Sequence, residues 1–393
     1  MKELYNCIID VCKKGGFSFL LLLIVLFFSA ESSSIYLLVI FGISQLPLLF
    51  KCKTPKVVIP LLVFSCSYCL IWYLSGPISS MAILISIALC PTVFFLYGSK
   101  IGKTLDYSAE LPIALLLLIG FMLFKVFNAT IHNVIDVGIV DPNRQLVFEG
   151  DESSSNATVW GLLVSPALGL FSVPLFIKNP IRKVWPLLFA ALSFLSVLTV
   201  VHVVNRGGLI IALIAVFVAL IIRFREKKFI LVLSFVATIS AILFFMPSSG
   251  DVFDAYSARN SVGDEGERLE RWLYGLENLF CHPLGWNNTS LSHQYFMHNL
   301  WLDVARVAGI VPFVALLIAT LRTFGNAYKI TKKSHNVSTV ILICVFITTF
   351  LSCFMEPALE AKQVTVYFFI FIWGIMDGVL SNQSFYDEHI NNQ

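Results

Sequence analysis

The chain has 393 residues, of which 58% are hydrophobic and only 13% are charged, and its mean hydropathy is +0.84. Soluble globular domains carry about 25% charged residues, so this composition excludes a soluble domain and is typical of a protein that spans a membrane several times. The formal net charge is only +3, and nothing in it points to a nucleic-acid partner.

Apolar runs recur along the whole chain at a length that suits membrane-spanning helices. A helix needs about 20 apolar residues to cross about 30 Å of hydrocarbon. We therefore predict an all-α polytopic membrane protein with about twelve transmembrane helices, in contact with the lipid bilayer and forming a single membrane domain over residues 1–393. The predicted spans centre on residues 17–30, 34–50, 57–75, 81–99, 112–131, 158–177, 184–203, 207–223, 229–246, 299–320, 339–355 and 363–381.

The lysines and arginines predict which ends of these spans face the cytoplasm. Cytoplasmic loops of membrane proteins are enriched in both residues. If the N-terminus is cytoplasmic, most of the 27 lysines and arginines fall in inner segments, and the C-terminal tail at 382–393 is cytoplasmic too. The outer segments then contain only Arg144, Arg206, Arg259, Arg268, Arg271 and Lys362.

Two outer connections are long enough to carry functional residues, at 132–157 and 247–297. In the second, the stretch DEGERLERWLYGLENLFCHPLGW predicts a short amphipathic helix that lies on the membrane surface. Residues at successive steps of four, three and four from Arg268 share one face of this helix. Pro283 is expected to end it. We expect the loop to cover a cavity that opens to the outer face.

A further polar stretch, HQYFMHNLWLDVARVAG, is predicted to open the span at 299–320. Asp303 and Arg306 are three residues apart on one helix, and charges inside a membrane are costly unless neutralised, so we expect these two to pair. His298 taken alone is more typical of an interfacial histidine than of a catalytic one. The sequence contains no metal-ligand or nucleotide-binding motif, so we expect neither a metal nor another cofactor.

Three stretches resemble the membrane glycosyltransferases that handle O-antigen and related surface polysaccharides, namely O-antigen polymerases and O-antigen ligases. In chain order they are VNRGGLIIALIAV, ERLERWLYGLENLFCHPLGW and HNLWLDVARVAGIVPF, and they fall within residues 200–320. The resemblance implies a GT-C-like fold in the bacterial inner membrane. It also implies an active site on the periplasmic face and a donor glycan carried on undecaprenyl pyrophosphate.

Carried over from that family, the functional positions are Arg206, Arg268 and His298. The resemblance implies that the two arginines bind the pyrophosphate and that the histidine serves the acceptor hydroxyl in a metal-independent, inverting transfer. These residue types suit the roles, because guanidinium groups form paired hydrogen bonds to phosphate oxygens and imidazole is a base near neutral pH. Arg271 is an alternative to Arg268, and Asn299 could orient the histidine or cap its helix.

Within the family, the stretch RQLVFEGDESSSNA favours a polymerase, because it loosely resembles an arginine motif that precedes a span in several polysaccharide polymerases. Arg144 would then hold a second pyrophosphate or the acceptor, and its alternative is an ordinary loop arginine. A chain-length regulator and a flippase are partners implied by the resemblance alone. Three other functions stay open: ligation of the glycan to lipid A-core, transport of lipid-linked oligosaccharides, and binding of a protein partner by the 247–297 loop.

Overall fold

A computed structural model of the chain describes most of its predicted spans. The residues it describes are 2–31, 34–51, 55–75, 80–141, 145–146, 155–170, 184–223, 264–287 and 296–382. Most of them are helical, which confirms the all-α class. The extended structure within these ranges is one antiparallel pair of two-residue strands, in which Gln145 pairs with Asn156 and Leu146 with Ser155.

The helices follow the apolar runs of the sequence, and glycines, prolines and polar residues separate them. In chain order the helices and the two strands are α1 (Lys2–Phe27), α2 (Ser34–Gln45), α3 (Pro47–Lys51), α4 (Val58–Ser75), α5 (Met81–Thr104), α6 (Glu110–Val137), β1 (Gln145–Leu146), β2 (Ser155–Asn156), α7 (Ala157–Leu168), α8 (Val184–His202), α9 (Arg206–Arg223), α10 (Asp264–Cys281), α11 (Leu300–Ala308), α12 (Ile310–Lys333), α13 (Val337–Met355), α14 (Ala358–Ala361) and α15 (Gln363–Val379).

Within the described ranges, six helices are long and apolar enough to cross a membrane, which supports the class of membrane protein. These are α4, α5, α6, α9, α12 and α13. Four further apolar helices are shorter, at 34–50, 157–168, 187–202 and 363–379. The total of about twelve spans stays a prediction, and the run at 229–246 lies outside the described residues.

The predicted span at 299–320 is wrong in its bounds, because the structure divides it at Gly309 into α11 and α12. Gly309 has a φ of +78°, and a Cβ at this position would lie 1.9 Å from the carbonyl oxygen of Pro283. Only glycine tolerates both conditions. The nine residues of α11 are consequently a short, fully buried helix, and the long apolar helix starts only at Ile310.

The connection predicted at 132–157 starts within helix α6, which continues to Val137. Asn133 stays helical with its side-chain amide donating to the carbonyl of Ala129, at 2.8 Å. Gly138 follows with a φ of +107°, a conformation that commonly ends helices. Helix α6 therefore continues through polar residues beyond the apolar run that predicted it.

The described chain forms two compact units, and close packing of α5 on α15 organises the first, which comprises Met1–Leu123, Glu265–Lys333 and Cys353–Gln393. Each of these two helices carries a pair of glycines four residues apart. A Cβ at Gly98 would lie 2.2 Å from the carbonyl oxygen of Phe371, and one at Gly374 would lie 2.0 Å from that of Phe95. The two backbones therefore touch, as in membrane helices that associate through small residues.

The second unit comprises Phe124–Asp264 and Ser334–Ser352, and its helices also meet through small and polar residues. A Cβ at Gly169 would lie 2.7 Å from the backbone of Cys344. The Cys344 thiol in turn donates to the carbonyl of Ala215, at 3.5 Å. The hydroxyls of Thr130 and Thr199 share a hydrogen bond of 2.9 Å between α6 and α8. These contacts pack the middle of α9, the helix that begins at Arg206, against α13 and join α6 to α8.

Candidate functional site

The predicted surface helix is present as α10, and its bounds agree with the expected stop before Pro283. Gly275 and Leu279 are buried on one face, whereas Leu273 and Phe280 on other faces are exposed. Apolar side chains exposed on an amphipathic helix are typical of a helix that lies against lipid. This pattern agrees with the predicted location at the membrane surface.

Helix α10 is attached near its middle to the turn before the short helix α11, and the segment after it is attached to the start of α12. The indole Nε1 of Trp272 donates to the carbonyl of Met297, at 2.8 Å, close to the start of α11. Beyond α10, the carbonyl of Pro283 accepts from the backbone N–H of Ile310, at 3.0 Å. A small hydrophobic cluster of Leu279, Trp286, Met297, Leu302 and Ala305 lies between the two helices. The relative position of α10 and His298 is therefore well defined.

His298 lies in the turn before α11 and has an unusual backbone conformation. Its φ is +49°, in the left-handed region that is uncommon for residues other than glycine. The carboxylate of Asp303 stabilises this turn, because Oδ1 accepts from the N–H of Met297 at 2.8 Å and Oδ2 from that of Asn299 at 3.2 Å. Asp303 is buried, with 1% of its surface exposed. One carboxylate therefore binds the peptide groups on both sides of His298.

Asn299 has the capping role proposed for it from the sequence. Its side-chain oxygen accepts from the backbone N–H groups of Trp301 and Leu302, at 3.1 and 3.2 Å, so it is the N-cap of α11. Its amide nitrogen donates to the carbonyl of Phe354, at 3.1 Å. The second bond joins the turn that carries His298 to the end of α13.

Glu356, directly after α13, contacts two of the predicted site residues. One carboxylate oxygen lies 3.2 Å from Nδ1 of His298, and the other lies 3.6 Å from Nη2 of Arg268. Arg268 also donates to the carbonyl of Met355, at 3.4 Å. About a fifth of each of the His298 and Arg268 side chains is exposed (21% and 23%), so both are accessible to a ligand. The structure thus brings together Arg268, His298 and Asn299.

The sequence prediction missed Glu356, although one signal was present. The stretch FMEPALEAKQV holds two glutamates between the apolar runs of α13 and α15, on the predicted outer side. An acidic residue beside an arginine and a histidine is a natural partner for both. Its pairing with His298 could not be read from sequence spacing, because the two residues are 58 positions apart.

The second glutamate of this stretch, Glu360, belongs to an ion-pair cluster beneath the site. The predicted pairing of Arg306 with Asp303 is confirmed, with Nε and Oδ1 3.7 Å apart. Arg306 also donates to the side chains of Glu360 and Asn287. Burial raises the pKa of the Glu360 carboxyl to about 7, against the opposing effect of the Arg306 charge. The cluster connects α11 to α14 and to the segment that follows α10.

Arg206 belongs to the second unit, where it is the first residue of α9. Asn205 caps this helix, since its side-chain oxygen accepts from the N–H of Gly208 and its amide donates to the carbonyl of Ala157, each at 3.0 Å. Val204 has a φ of +50°, which is a real outlier for a β-branched residue. Arg206 is half-buried at this strained turn.

Backbone strain in the described residues is concentrated next to predicted site residues. The non-glycine residues with positive φ in these ranges are Val204 and His298. Such conformations cost about 1–3 kcal/mol each and persist where the surrounding structure enforces them, often at functional sites. One is His298 itself, and the other lies two residues before Arg206.

The remaining predicted residues have a less complete description. Arg271 is half-buried on α10, three residues beyond Arg268. Arg144 lies outside the described residues, as do 247–263 and 288–295 of the predicted outer loop. Within the described ranges, no group of three or more histidine, cysteine, aspartate or glutamate residues is arranged to hold a metal ion.

Comparison with known proteins adds no relative to these observations. No family model matches the chain, and no curated protein matches it. The class that the structure supports is therefore a helical protein with several helices able to cross a membrane, in which His298 from the turn before α11 and Arg268 from α10 contact one carboxylate.

Proposed function

We propose that the protein is a polymerase of O-antigen or a related bacterial surface polysaccharide. It would join oligosaccharide repeat units carried on undecaprenyl pyrophosphate, at the periplasmic face of the inner membrane. The observation that supports this most directly is the meeting of Arg268 and His298 at Glu356, since the resemblance names the same arginine and histidine.

The contact with Glu356 supports the role of general base that we propose for His298. When Nδ1–H donates to the carboxylate, the neutral ring has an unprotonated Nε2 that can accept a proton. The acceptor sugar hydroxyl would give its proton to Nε2 while its oxygen forms a bond to the anomeric carbon of the donor. A bond between that carbon and a phosphate oxygen breaks at the same time, and the configuration at the carbon inverts.

Arg268 suits the leaving group of this reaction. As the glycosyl bond breaks, its electron pair moves onto the phosphate oxygen and negative charge develops there. A guanidinium group stabilises such charge through paired, charge-assisted hydrogen bonds. The contacts of Arg268 with Met355 and Glu356 are long, at 3.4 and 3.6 Å, so they compete weakly with a phosphate. Arg206 is a pyrophosphate-binding residue in this proposal on the strength of the resemblance.

The experiment that tests this function is removal of the gene, followed by separation of the lipopolysaccharide by size. A polymerase predicts a core that carries a single repeat unit with no ladder of longer chains. Complementation with the wild-type gene restores the ladder, and complementation with His298→Ala does not, although the variant is present in the membrane at the same level.

Other results of this experiment assign another function. A bare core together with long polymer on the carrier lipid identifies the ligase. Repeat units that accumulate on the cytoplasmic leaflet identify a transporter. An unchanged ladder contradicts all three functions for O-antigen itself. A purified-protein assay with lipid-linked repeat units then tests metal independence, because polymer should form equally well with a chelator present.

A further inference from the structure

An apolar groove of about 520 Å³ lies on the first unit, between α4 and α12. Its walls include Ile59 and Val63 from the first turns of α4, and Ile310, Val314 and Ile318 from α12. The lining is apolar except at one end, where Arg322 lies. Ligand sites generally have volumes of about 300–1,000 Å³, so the groove is large enough for part of a lipid.

The groove has the dimensions of an acyl-chain site. From Ile310 to Arg322, α12 rises about 18 Å at about 1.5 Å per residue. One leaflet of the hydrocarbon core is about 15 Å thick, half of about 30 Å. Ile59, Val314 and Ile318 are exposed at 63%, 40% and 40%, so the groove is open along its side to the surface of the first unit.

A second basic residue, Lys56, lies next to Arg322 at the polar end of the groove. The guanidinium group of Arg322 donates to the backbone carbonyl of Lys56, and both side chains are exposed. No ion pair joins either cation to a carboxylate of the described residues. Lys56 lies two residues before the apolar helix α4, so its contact with Arg322 places this end of the groove at the starting boundary of that span.

The basic residues predict that this boundary is the cytoplasmic one, because Lys329, Lys332 and Lys333 follow Arg322 on α12. Cytoplasmic leaflets contain anionic lipids, and basic pockets between membrane helices bind their headgroups. Zwitterionic lipids, with no net charge, would leave both cations without a net counter-charge. Charge complementarity therefore favours an anionic occupant.

We propose that this groove binds an anionic glycerophospholipid of the cytoplasmic leaflet. Its phosphate contacts the side chains of Arg322 and Lys56, and one acyl chain occupies the groove along α12. The proposal does not depend on the function proposed above. It also differs from binding of the lipid-linked donor, because His298 precedes α11 whereas the two cations lie beyond the first three turns of α12.

Native mass spectrometry of the purified full-length protein tests the proposal. The delipidated protein is mixed with phosphatidylglycerol or phosphatidylethanolamine of the same acyl composition, and the fraction that retains one lipid is measured. We expect the wild type to retain phosphatidylglycerol preferentially, and Arg322→Gln to lower this retention about fivefold. Glutamine can still donate to the Lys56 carbonyl, so the fold should be preserved.

Two further variants separate the contributions of the charge and the groove. Lys329→Gln removes an exposed cation of the same helix outside the groove and should retain the lipid as the wild type does. Val314→Trp fills the groove and should reduce retention although both cations remain. Each variant is compared only if its gel-filtration profile and thermal unfolding match those of the wild type.

Several results would overturn the proposal. Equal retention of the two phospholipids would show that the groove carries no charge preference. Equal retention by the Arg322→Gln and Lys329→Gln variants would show that the phosphate binds elsewhere. Displacement of phosphatidylglycerol by undecaprenyl phosphate, but not by excess phosphatidylglycerol of different chain length, would identify the occupant as the polyprenyl lipid instead.

Discussion

The carboxylate of Asp303 binds the peptide N–H groups on both sides of His298. His298 adopts a left-handed backbone at this point, with a φ of +49°. The two hydrogen bonds offset the cost of that conformation, because they satisfy buried peptide groups that the turn leaves without helical partners. Asp303 is therefore a positioning residue for His298, and Arg306 neutralises its charge.

Substitution of Asp303 by asparagine should weaken the turn that holds His298. An amide has one acceptor oxygen instead of two, so one of the two peptide groups loses its partner, and we expect a loss of about 1–3 kcal/mol in the free energy of unfolding. Polymer synthesis per folded protein should also fall, because His298 is no longer held in position. Asp377→Asn is the control, since Asp377 bonds to Ser99 on another pair of helices. Equal activities of the two variants at equal protein level would contradict the positioning role.

Glu356 should affect the rate of the reaction more than substrate binding. Glu356→Gln keeps the size of the side chain but removes the charge that orients His298, so we expect kcat to fall by about 10²-fold with little change in KM. Glu356→Asp should recover part of the loss. The measurement is polymer formation by purified variants over a range of lipid-linked substrate. A rise in KM at unchanged kcat would instead assign Glu356 to substrate binding.

Arg268 and Arg271 are distinguished by their contacts as well as by the family resemblance. Arg268 approaches Glu356 beside His298, at 3.6 Å, so its removal should lower polymer formation by about 10²-fold. Arg271→Ala is the matched control on the same helix and should have a smaller effect. Both variants are measured by the length distribution of the polysaccharide at equal membrane level. The opposite ranking would exchange the roles of the two arginines.

Packing of α5 on α15 should tolerate no side chain at its central glycines. Gly374→Val places atoms where the carbonyl of Phe95 lies, so we expect a loss of about 3 kcal/mol or more in stability, seen as low yield of folded protein. Gly325→Ala on α12 is the control, because a Cβ there meets nothing within 4 Å. Alanine should stabilise that helix by about 0.5–1 kcal/mol. Normal thermal unfolding of Gly374→Val would contradict this packing.

Glu360 should make stability depend on pH in a predictable direction. Burial raises the pKa of its carboxyl from 4.5 to about 7 in the folded state. The stability from this group is therefore fully present below the unfolded pKa and is lost as the pH rises through about 7. Glu360→Gln should flatten the dependence of Tm on pH between about pH 5 and 8. Glu277→Gln, at an exposed position of α10, should leave the dependence unchanged.

The sequence alone determined the features that depend on local patterns. The apolar runs predicted the helices because burial of backbone polar groups in hydrocarbon demands helical hydrogen bonding over about 20 residues. Helical spacing predicted α10 and the pairing of Asp303 with Arg306, since residues three positions apart on a helix are neighbours. The backbone hydrogen bonds of a helix join residues that are close in sequence, so a helix can be predicted without knowledge of its tertiary contacts.

Only the tertiary structure decided the composition of the site within the first unit. Glu356 meets Arg268 and His298 across long chain separations, and no local spacing encodes such a contact. The break at Gly309 depends on the approach of Pro283 from another segment, although the apolar pattern continues through it. Hydropathy reports the tendency of a residue type to leave water. It contains no information on which segment will pack against that residue. The residues that orient His298 therefore emerge only when α10, α11 and the end of α13 are folded together.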